Sequence, residues 1–261
     1  MISRCTMILL SSVAVGCGAA SPRDDEQPQA ELARMTVQKQ AEVRHGLIET
    51  LLASKAYGSA IPLINQALRQ NPKDARLYTY RATVLRERGR LEQSLLVYQT
   101  AIELKPTLAS AYAGQGIVLN LLGRHADATT AHREANRLVK GSSRWLNNLG
   151  FSLFLERKYE AAARVYEQAI GIDARLGIAF VNLGFALAAM GKLEDAKRAF
   201  GEVLNQGQIL NNLALAKEIV GDPKAARRLY EEAIMLDPQN VEAADNLDAL
   251  TKETTVIKEQ P

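Results

Sequence analysis

Residues 143–176 read SRWLNNLGFSLFLERKYEAAARVYEQAIGIDARL, and their spacing recurs along most of the chain. With Ser143 as position 1, Gly150 stands at position 8, Ala162 at 20, Tyr166 at 24 and Ala169 at 27. Segments of the same pattern start at residues 41, 75, 109, 177 and 207, so four steps are 34 residues long and one is 30. Position 8 holds Ile48, Ala82, Gly116, Gly150, Gly184 and Ala214. Position 20 holds Ala60, Ser94, Ala128, Ala162, Ala196 and Ala226. Position 24 is large: Ile64, Tyr98, His132, Tyr166, Phe200 and Tyr230. A partial seventh copy starts at Val241, and Pro72, Pro106 and Pro238 all fall at position 32.

Composition agrees with a helical reading. Of 261 residues, 47% are hydrophobic but only 5% aromatic, with Ala and Leu dominant. Strands prefer β-branched and aromatic residues, whereas Ala and Leu favour helices. The apolar fraction excludes whole-chain disorder. The net charge of +3 lacks the clustered basic excess of a nucleic-acid binder.

These columns resemble the tetratricopeptide repeat from residue 41 to about 250. The resemblance implies an all-α, right-handed α-solenoid of six helix-turn-helix repeats with a C-terminal capping helix. Helices A and B of each repeat cross where positions 8 and 20 meet, so both must be small. Position 24 is the knob expected to fill the gap to the next repeat, and position 27 is small to receive a neighbouring helix. Gly89, Gly123, Gly191 and Gly221 at position 15 are expected to end helix A in a left-handed conformation. Repeat one is degenerate, with bulky Ile48 and an early Pro62; repeat three carries Lys140 in place of its proline. Repeat five should lose the end of helix B near Asn205–Gly207, which predicts a locally altered twist. The expected organisation is a signal peptide at 1–16, a flexible tether at 17–29, repeats over 30–240, and a capping helix with a polar, frayed tail over 241–261. The capping helix is expected to run from Val241 to about Lys252, because a terminal repeat exposes one apolar face.

Such an array presents a concave wall formed mainly by helix A, at positions 2, 5, 6, 9, 12 and 13. Position 6 reads Asn148, Asn182, Asn212 and Asn246 in consecutive copies, and Asn147 and Asn211 add amides at position 5. An asparagine carries a donor and an acceptor side by side and can pair with a peptide bond in both directions. Phe151, Phe185 and Leu215 at position 9, and Phe154 at position 12, bring apolar surface to the same wall; Leu155 and Ile219 stand at position 13. Together the six asparagines, the three phenylalanines and Leu215, ten positions from Asn147 to Asn246, make a candidate peptide groove. Asparagine at position 6 is also common scaffold in this repeat family, and phenylalanine at position 9 can pack between repeats, so both readings stand. The carboxylate clamp of tetratricopeptide co-chaperones needs Lys or Arg at positions where this chain has Asn147, Gln208 and Asn212; Arg144 alone does not replace them.

The first residues read Met1-Ile2-Ser3-Arg4, and an uncharged stretch follows from Cys5 to Ser21, the pattern of a secretory signal. Ala14-Val15-Gly16-Cys17 resembles a bacterial lipobox. The resemblance implies that Cys17 receives a diacylglyceryl group and becomes the first mature residue, leaving no free thiol. An ordinary cleaved signal with a chance cysteine is the other reading. Gly18 after Cys17, rather than Asp, implies the outer membrane, facing the periplasm. Acyl chains in pairs or more hold a protein on a membrane firmly.

Chemistry is sparse. His125 and His132 lie seven apart in repeat three, His132 at the knob position, so packing is expected rather than metal ligation. Gly114-Gln115-Gly116 is part of a helix, without the strand that a phosphate loop requires. No catalytic constellation, metal site or cofactor is expected beyond a lipid on Cys17, and neither nucleic acid nor a small-molecule substrate. The lipobox, the array, and Trp145-Leu146-Asn147-Asn148-Leu149-Gly150 echoed by Leu210-Asn211-Asn212-Leu213-Ala214 resemble the Tad/Flp pilus-assembly lipoproteins of the TadD kind. In build the chain is also similar to the PilF/PilW pilotins of type IV pili and to the hydrolase adaptor NlpI. The resemblance implies a non-enzymatic envelope scaffold with protein partners, such as a secretin or pilus component. An adaptor for peptidoglycan enzymes is the alternative.

Overall fold

The computed structural model describes the backbone of residues 26–259, and the side chains of residues 36–252. Cys17, the signal peptide and most of the expected tether lie outside the described residues. Among the described residues there are thirteen helices and no strand. The chain divides into two compact units, residues 1–50 and 51–261. In the first, the described part is the body of one long helix, α1 (Glu26–Ala53). It corrects the tether boundary: the helix begins at Glu26, not after residue 29. Pro28 falls in its first turn, where its missing N–H removes no hydrogen bond. From there to Ala53 only Gly46 weakens the helical sequence.

The second unit is a succession of antiparallel hairpins. α2 (Tyr57–Gln70) leads into five helix pairs: α3 (Ala75–Glu87) with α4 (Leu91–Leu104), α5 (Ala109–Leu121) with α6 (His125–Leu138), α7 (Ser143–Leu155) with α8 (Tyr159–Ile172), α9 (Gly177–Ala189) with α10 (Leu193–Gly201), and α11 (Gln206–Ile219) with α12 (Pro223–Leu236). α13 (Val241–Glu259) closes the series. α2 tolerates Pro62 in its interior.

Small residues set how closely each pair can cross. Ser94, Ala128, Ala162, Ala196 and Ala226 at position 20 are all fully buried. Ser94 shows the crossing directly, since its hydroxyl donates to the Ala82 carbonyl at 2.7 Å. Position 24 behaves differently from expectation. A Cβ added to Gly116, Gly150 or Gly184 would fall 2.6, 2.6 and 2.5 Å from the rings of His132, Tyr166 and Phe200. The knob therefore lies first on the position 8 glycine of its own hairpin. Where position 8 is Ala82, the ring of Tyr98 reaches the next repeat instead, and Gly114 makes room for it at 2.3 Å from a notional Cβ. The Tyr98 hydroxyl then pairs with Thr83 Oγ1 at 2.9 Å. In the sixth repeat, which has Ala214, the Tyr230 hydroxyl likewise donates to Glu218 on helix A.

The turns from helix A to helix B share one geometry. Gly89, Gly123, Gly191 and Gly221 have φ from 72° to 83°. Repeats one and four place Lys55 (57°) and Arg157 (59°) at the same left-handed position without glycine's freedom. In each turn the following N–H returns to position 11, as in Arg124 to Leu119 at 2.8 Å and Lys158 to Leu153 at 2.9 Å. This satisfies carbonyls that the helix end would otherwise orphan.

Two boundaries differ from the sequence reading. α10 is nine residues long, and α11 starts at Gln206, one residue before the expected 207. The start is fixed by a reciprocal box: Asn205 Oδ1 accepts from the Gln208 N–H at 2.9 Å, and Gln208 Oε1 accepts from the Asn205 N–H at 3.1 Å. α13 also continues to Glu259 rather than ending near Lys252. Ala243 and Leu250 on it are buried and pack with Tyr230 and Ala233, with Leu247 half-buried beside them.

Candidate functional site

The asparagines of helix A divide into two kinds. Asn182 Nδ2 donates to Asn147 Oδ1 at 2.9 Å, and Asn246 Nδ2 donates to Asn211 Oδ1 at 3.0 Å. Both bonds link position 6 of one helix A to position 5 of the helix A before it. Asn147 and Asn211 are buried, and Asn211 also offers a long 3.4 Å contact to Asn212 Oδ1. Four of the six asparagines are thus clasps between successive helices. Asn212 and Asn148 are the two that join no neighbouring helix: Asn212 receives only the long contact from its own helix, and Asn148 has none. Half-buried on α7, its side-chain amide has no hydrogen bond among the described residues.

The apolar residues separate in the same way. Phe154 packs against Tyr159 with ring centroids 5.3 Å apart, and Phe185 meets Phe200 edge-on at 5.4 Å. Leu215 packs against the core formed by Leu210, Tyr230 and their neighbours. Phe151 alone of the three phenylalanines stands clear, 41% exposed. Next to it, Asn148, Phe151 and Leu155 of α7 and Ile117, Asn120 and Leu121 of α5 enclose a depression of about 470 Å³, with His125 and His132 of α6 as the remaining lining.

A polar chain supports that depression. His125 Nδ1 lies 3.3 Å from Asn120 Oδ1, Asn120 Nδ2 donates to Ser152 Oγ at 2.8 Å, and Ser152 Oγ donates to the Asn148 carbonyl at 3.1 Å. The network orients α7 relative to α5 and leaves the Asn148 amide unused beside the apolar wall. No Asp, Glu, Lys or Arg lines the site. His132 is fully buried, and neither ring nitrogen has a partner. Burial lowers its pKa to about 4, so the ring is neutral at pH 7. Among the described residues there is no group of three or more His, Cys, Asp or Glu able to hold a metal ion. An apolar depression of this size, edged by one free amide and one exposed aromatic ring, can take a large apolar side chain while the amide pairs with a neighbouring peptide bond.

Sequence reasoning named Asn148, Phe151 and Leu155 but not Ile117, Asn120 or Leu121. The signal was available: Ile117 and Leu121 occupy positions 9 and 13 of repeat three, the same columns as Phe151 and Leu155. Ser152, at position 10, points into the helix interface and no surface rule would select it.

Comparison with known proteins matches this architecture. Residues 82–123 match the TPR repeat, and residues 63–95, 144–175 and 207–240 match the tetratricopeptide repeat. The Hsp70-Hsp90 organizing protein of Triticum aestivum is 37% identical over 68 residues, 26% of this chain and 12% of that protein. The type IV pilus assembly protein PilF of Pseudomonas aeruginosa is 28% identical over 160 residues, 60% of this chain and 63% of PilF. The chain spans no more than 36% of the length of the first three curated relatives it matches. Among solved structures, PilW, described as a widely conserved type IV pilus biogenesis factor, superposes with a TM-score of 0.64 at 18% identity, covering 79% of this chain and 97% of PilW.

Proposed function

We propose that this array of tetratricopeptide repeats is a non-enzymatic scaffold that holds an extended segment of a partner protein on the helix-A wall. The observation that carries the reading is the unused amide of Asn148 beside exposed Phe151 and the depression between α5 and α7. A partner side chain enters the depression, and the Asn148 amide pairs with the partner's main chain. Each such hydrogen bond contributes about 1 kcal/mol net, so the apolar anchor carries most of the affinity.

The cellular role we propose is assembly of a pilus or secretion machine of the Tad/Flp or type IV kind, with a secretin or pilus component as partner. The sequence match to PilF and the fold shared with PilW support it. In this reading a lipid on Cys17 tethers the array to the envelope, at the outer membrane and facing the periplasm.

The test pairs two variants of the full chain in a piliated host lacking the native copy. Phe151→Ala with Asn148→Ala should abolish pilus assembly while leaving helicity and melting temperature within a degree or two of wild type. Normal piliation by that double variant would overturn the groove assignment. Cys17→Ala should abolish incorporation of radiolabelled fatty acid and release the protein from membranes; an acylated Cys17→Ala chain would refute the anchor.

A further inference from the structure

The second repeat breaks the pattern of its neighbours on the face of helix A opposite the wall described above. Positions 7 and 14 of the later repeats are mostly apolar: Leu149, Leu183 and Leu213 at position 7, and Leu122, Met190 and Val220 at position 14. Repeat two has Arg81 and Arg88 there. Arg81, Leu85 and the C-cap residue Arg88 follow a four-three spacing down one side of α3 and its end, while positions 5, 9 and 12 of the concave wall lie on the other. Arg81 and Arg88 converge with Arg90 and Asn65 around a depression of about 160 Å³ walled by Ile61, Ile64, Val84 and Leu85.

All three arginines are exposed, and none has an ion-pair partner among the described residues. The comparison within the molecule is with repeat three. There Arg124, equivalent to Arg90, is neutralised by Asp127 at 2.6 Å, and Arg137 by Glu134 at 2.6 Å. Position 19, which supplies Asp127, is Gln93 in repeat two. Glu87, the acid of α3, is already held by Arg86 at 2.5 Å and by the Tyr57 hydroxyl at 3.2 Å. Glu92, two residues beyond Arg90, forms no ion pair among the described residues. Three uncompensated guanidinium groups therefore surround a small apolar floor.

We infer that this notch between α2 and α3 docks an acidic segment of a partner protein, with carboxylates on Arg81, Arg88 and Arg90 and one apolar side chain on Ile61, Val84 and Leu85. Guanidinium forks match carboxylates in geometry, which a lone ammonium does not. Charge complementarity selects the sign of the occupant, and the apolar floor selects a peptide over a simple anion. The surface is separate from the Asn148–Phe151 site, so the two stand or fall independently.

The test uses the full chain and a fluorescein-labelled heptapeptide of aspartate and glutamate around a central leucine, followed by fluorescence anisotropy. Binding should saturate, weaken with added salt, and weaken at least fivefold in Arg81→Gln with Arg88→Gln. Gln93→Asp, which restores the internal acid of repeat three at an exposed site, should weaken it at least threefold without altering the circular dichroism melt. The same peptide with asparagine and glutamine in place of its acids should not bind, and the Asn148→Ala variant should bind the acidic peptide as wild type does. Equal binding of the amide peptide, or unchanged affinity in both arginine-notch variants, would overturn the inference. So would binding of phosphatidylglycerol vesicles in preference to the peptide, which would make the notch a lipid contact.

Discussion

Asn182 on α9 donates its side-chain amide to Asn147 on α7 at 2.9 Å, joining two residues 35 positions apart in the chain. The bond turns a row of amides that could face a ligand into a connection between repeats. Asn246 and Asn211 repeat it at 3.0 Å at the C-terminal end.

Removal of this clasp should register in stability. Asn182→Ala leaves the buried Asn147 carbonyl without its donor, which costs about 1–3 kcal/mol. Asn148→Ala, whose amide has no internal partner, should change stability by less than about 0.5 kcal/mol. Urea denaturation of the two single variants separates them.

The glycines under the position 24 rings should be intolerant of even one methyl group. In Gly150→Ala the added carbon meets the Tyr166 ring at 2.6 Å, and the buried ring has little room to retreat. Overpacking of this kind costs about 1–3 kcal/mol. Gly150→Ala combined with Tyr166→Leu should recover part of the loss, as a double-mutant cycle on the melting curves would show.

Arg157 should be improved by glycine. Its φ of 59° carries a left-handed penalty of roughly 1–2 kcal/mol for a side chain with a Cβ. Glycine's greater freedom in the unfolded chain offsets roughly 0.5–1 kcal/mol of that. Arg157→Gly should therefore raise stability by about 0.5–1 kcal/mol. The converse change, Gly123→Ala at φ 74°, should lower it.

Acid should weaken the third repeat through His132. Burial lowers its folded pKa from 6.5 to about 4, so between those values the unfolded chain binds the proton and the folded chain does not. Stability is full above about pH 6.5 and falls as pH drops toward 4. At 1.36 kcal/mol per pKa unit the loss is roughly 3 kcal/mol. His132→Tyr places at this knob the residue that Gly150 accepts in the next repeat, and removes the proton-binding site. Its stability should decline less between pH 6.5 and 4 than that of wild type, measured by denaturation at each pH.

The repeat phase was legible because it is written in small residues. Ala128, Ala162 and Ala196 are fully buried where two backbones approach, and no side chain other than a small one can serve there. The helix-turn-helix architecture follows from those columns alone. The start at Gln206 was hidden because the reciprocal Asn205–Gln208 bonds, not the column phase, set it. The candidate site was only half legible. Periodicity places a residue on a face but not its hydrogen-bond partner, so Asn148 and Asn182 looked alike at position 6. Their difference depends on position 5 of the preceding helix A: Asn147 supplies an acceptor to Asn182, whereas Asn148 has only Ala113 there. Phe185 and Phe151 shared a column in the same way, yet Phe185 has Phe200 to pack against and Phe151 is left open.

A photo-crosslinking amino acid placed at position 151 of the full chain in living cells reads the occupant of the depression between α5 and α7. Position 96, where Leu96 is 68% exposed on α4, serves as the reference. One discrete protein adduct from position 151, absent from position 96 and lost when Asn148→Ala is added, is the predicted result. Equal labelling from both positions, or none from position 151 in cells that assemble pili normally, would contradict a partner held on the helix-A wall.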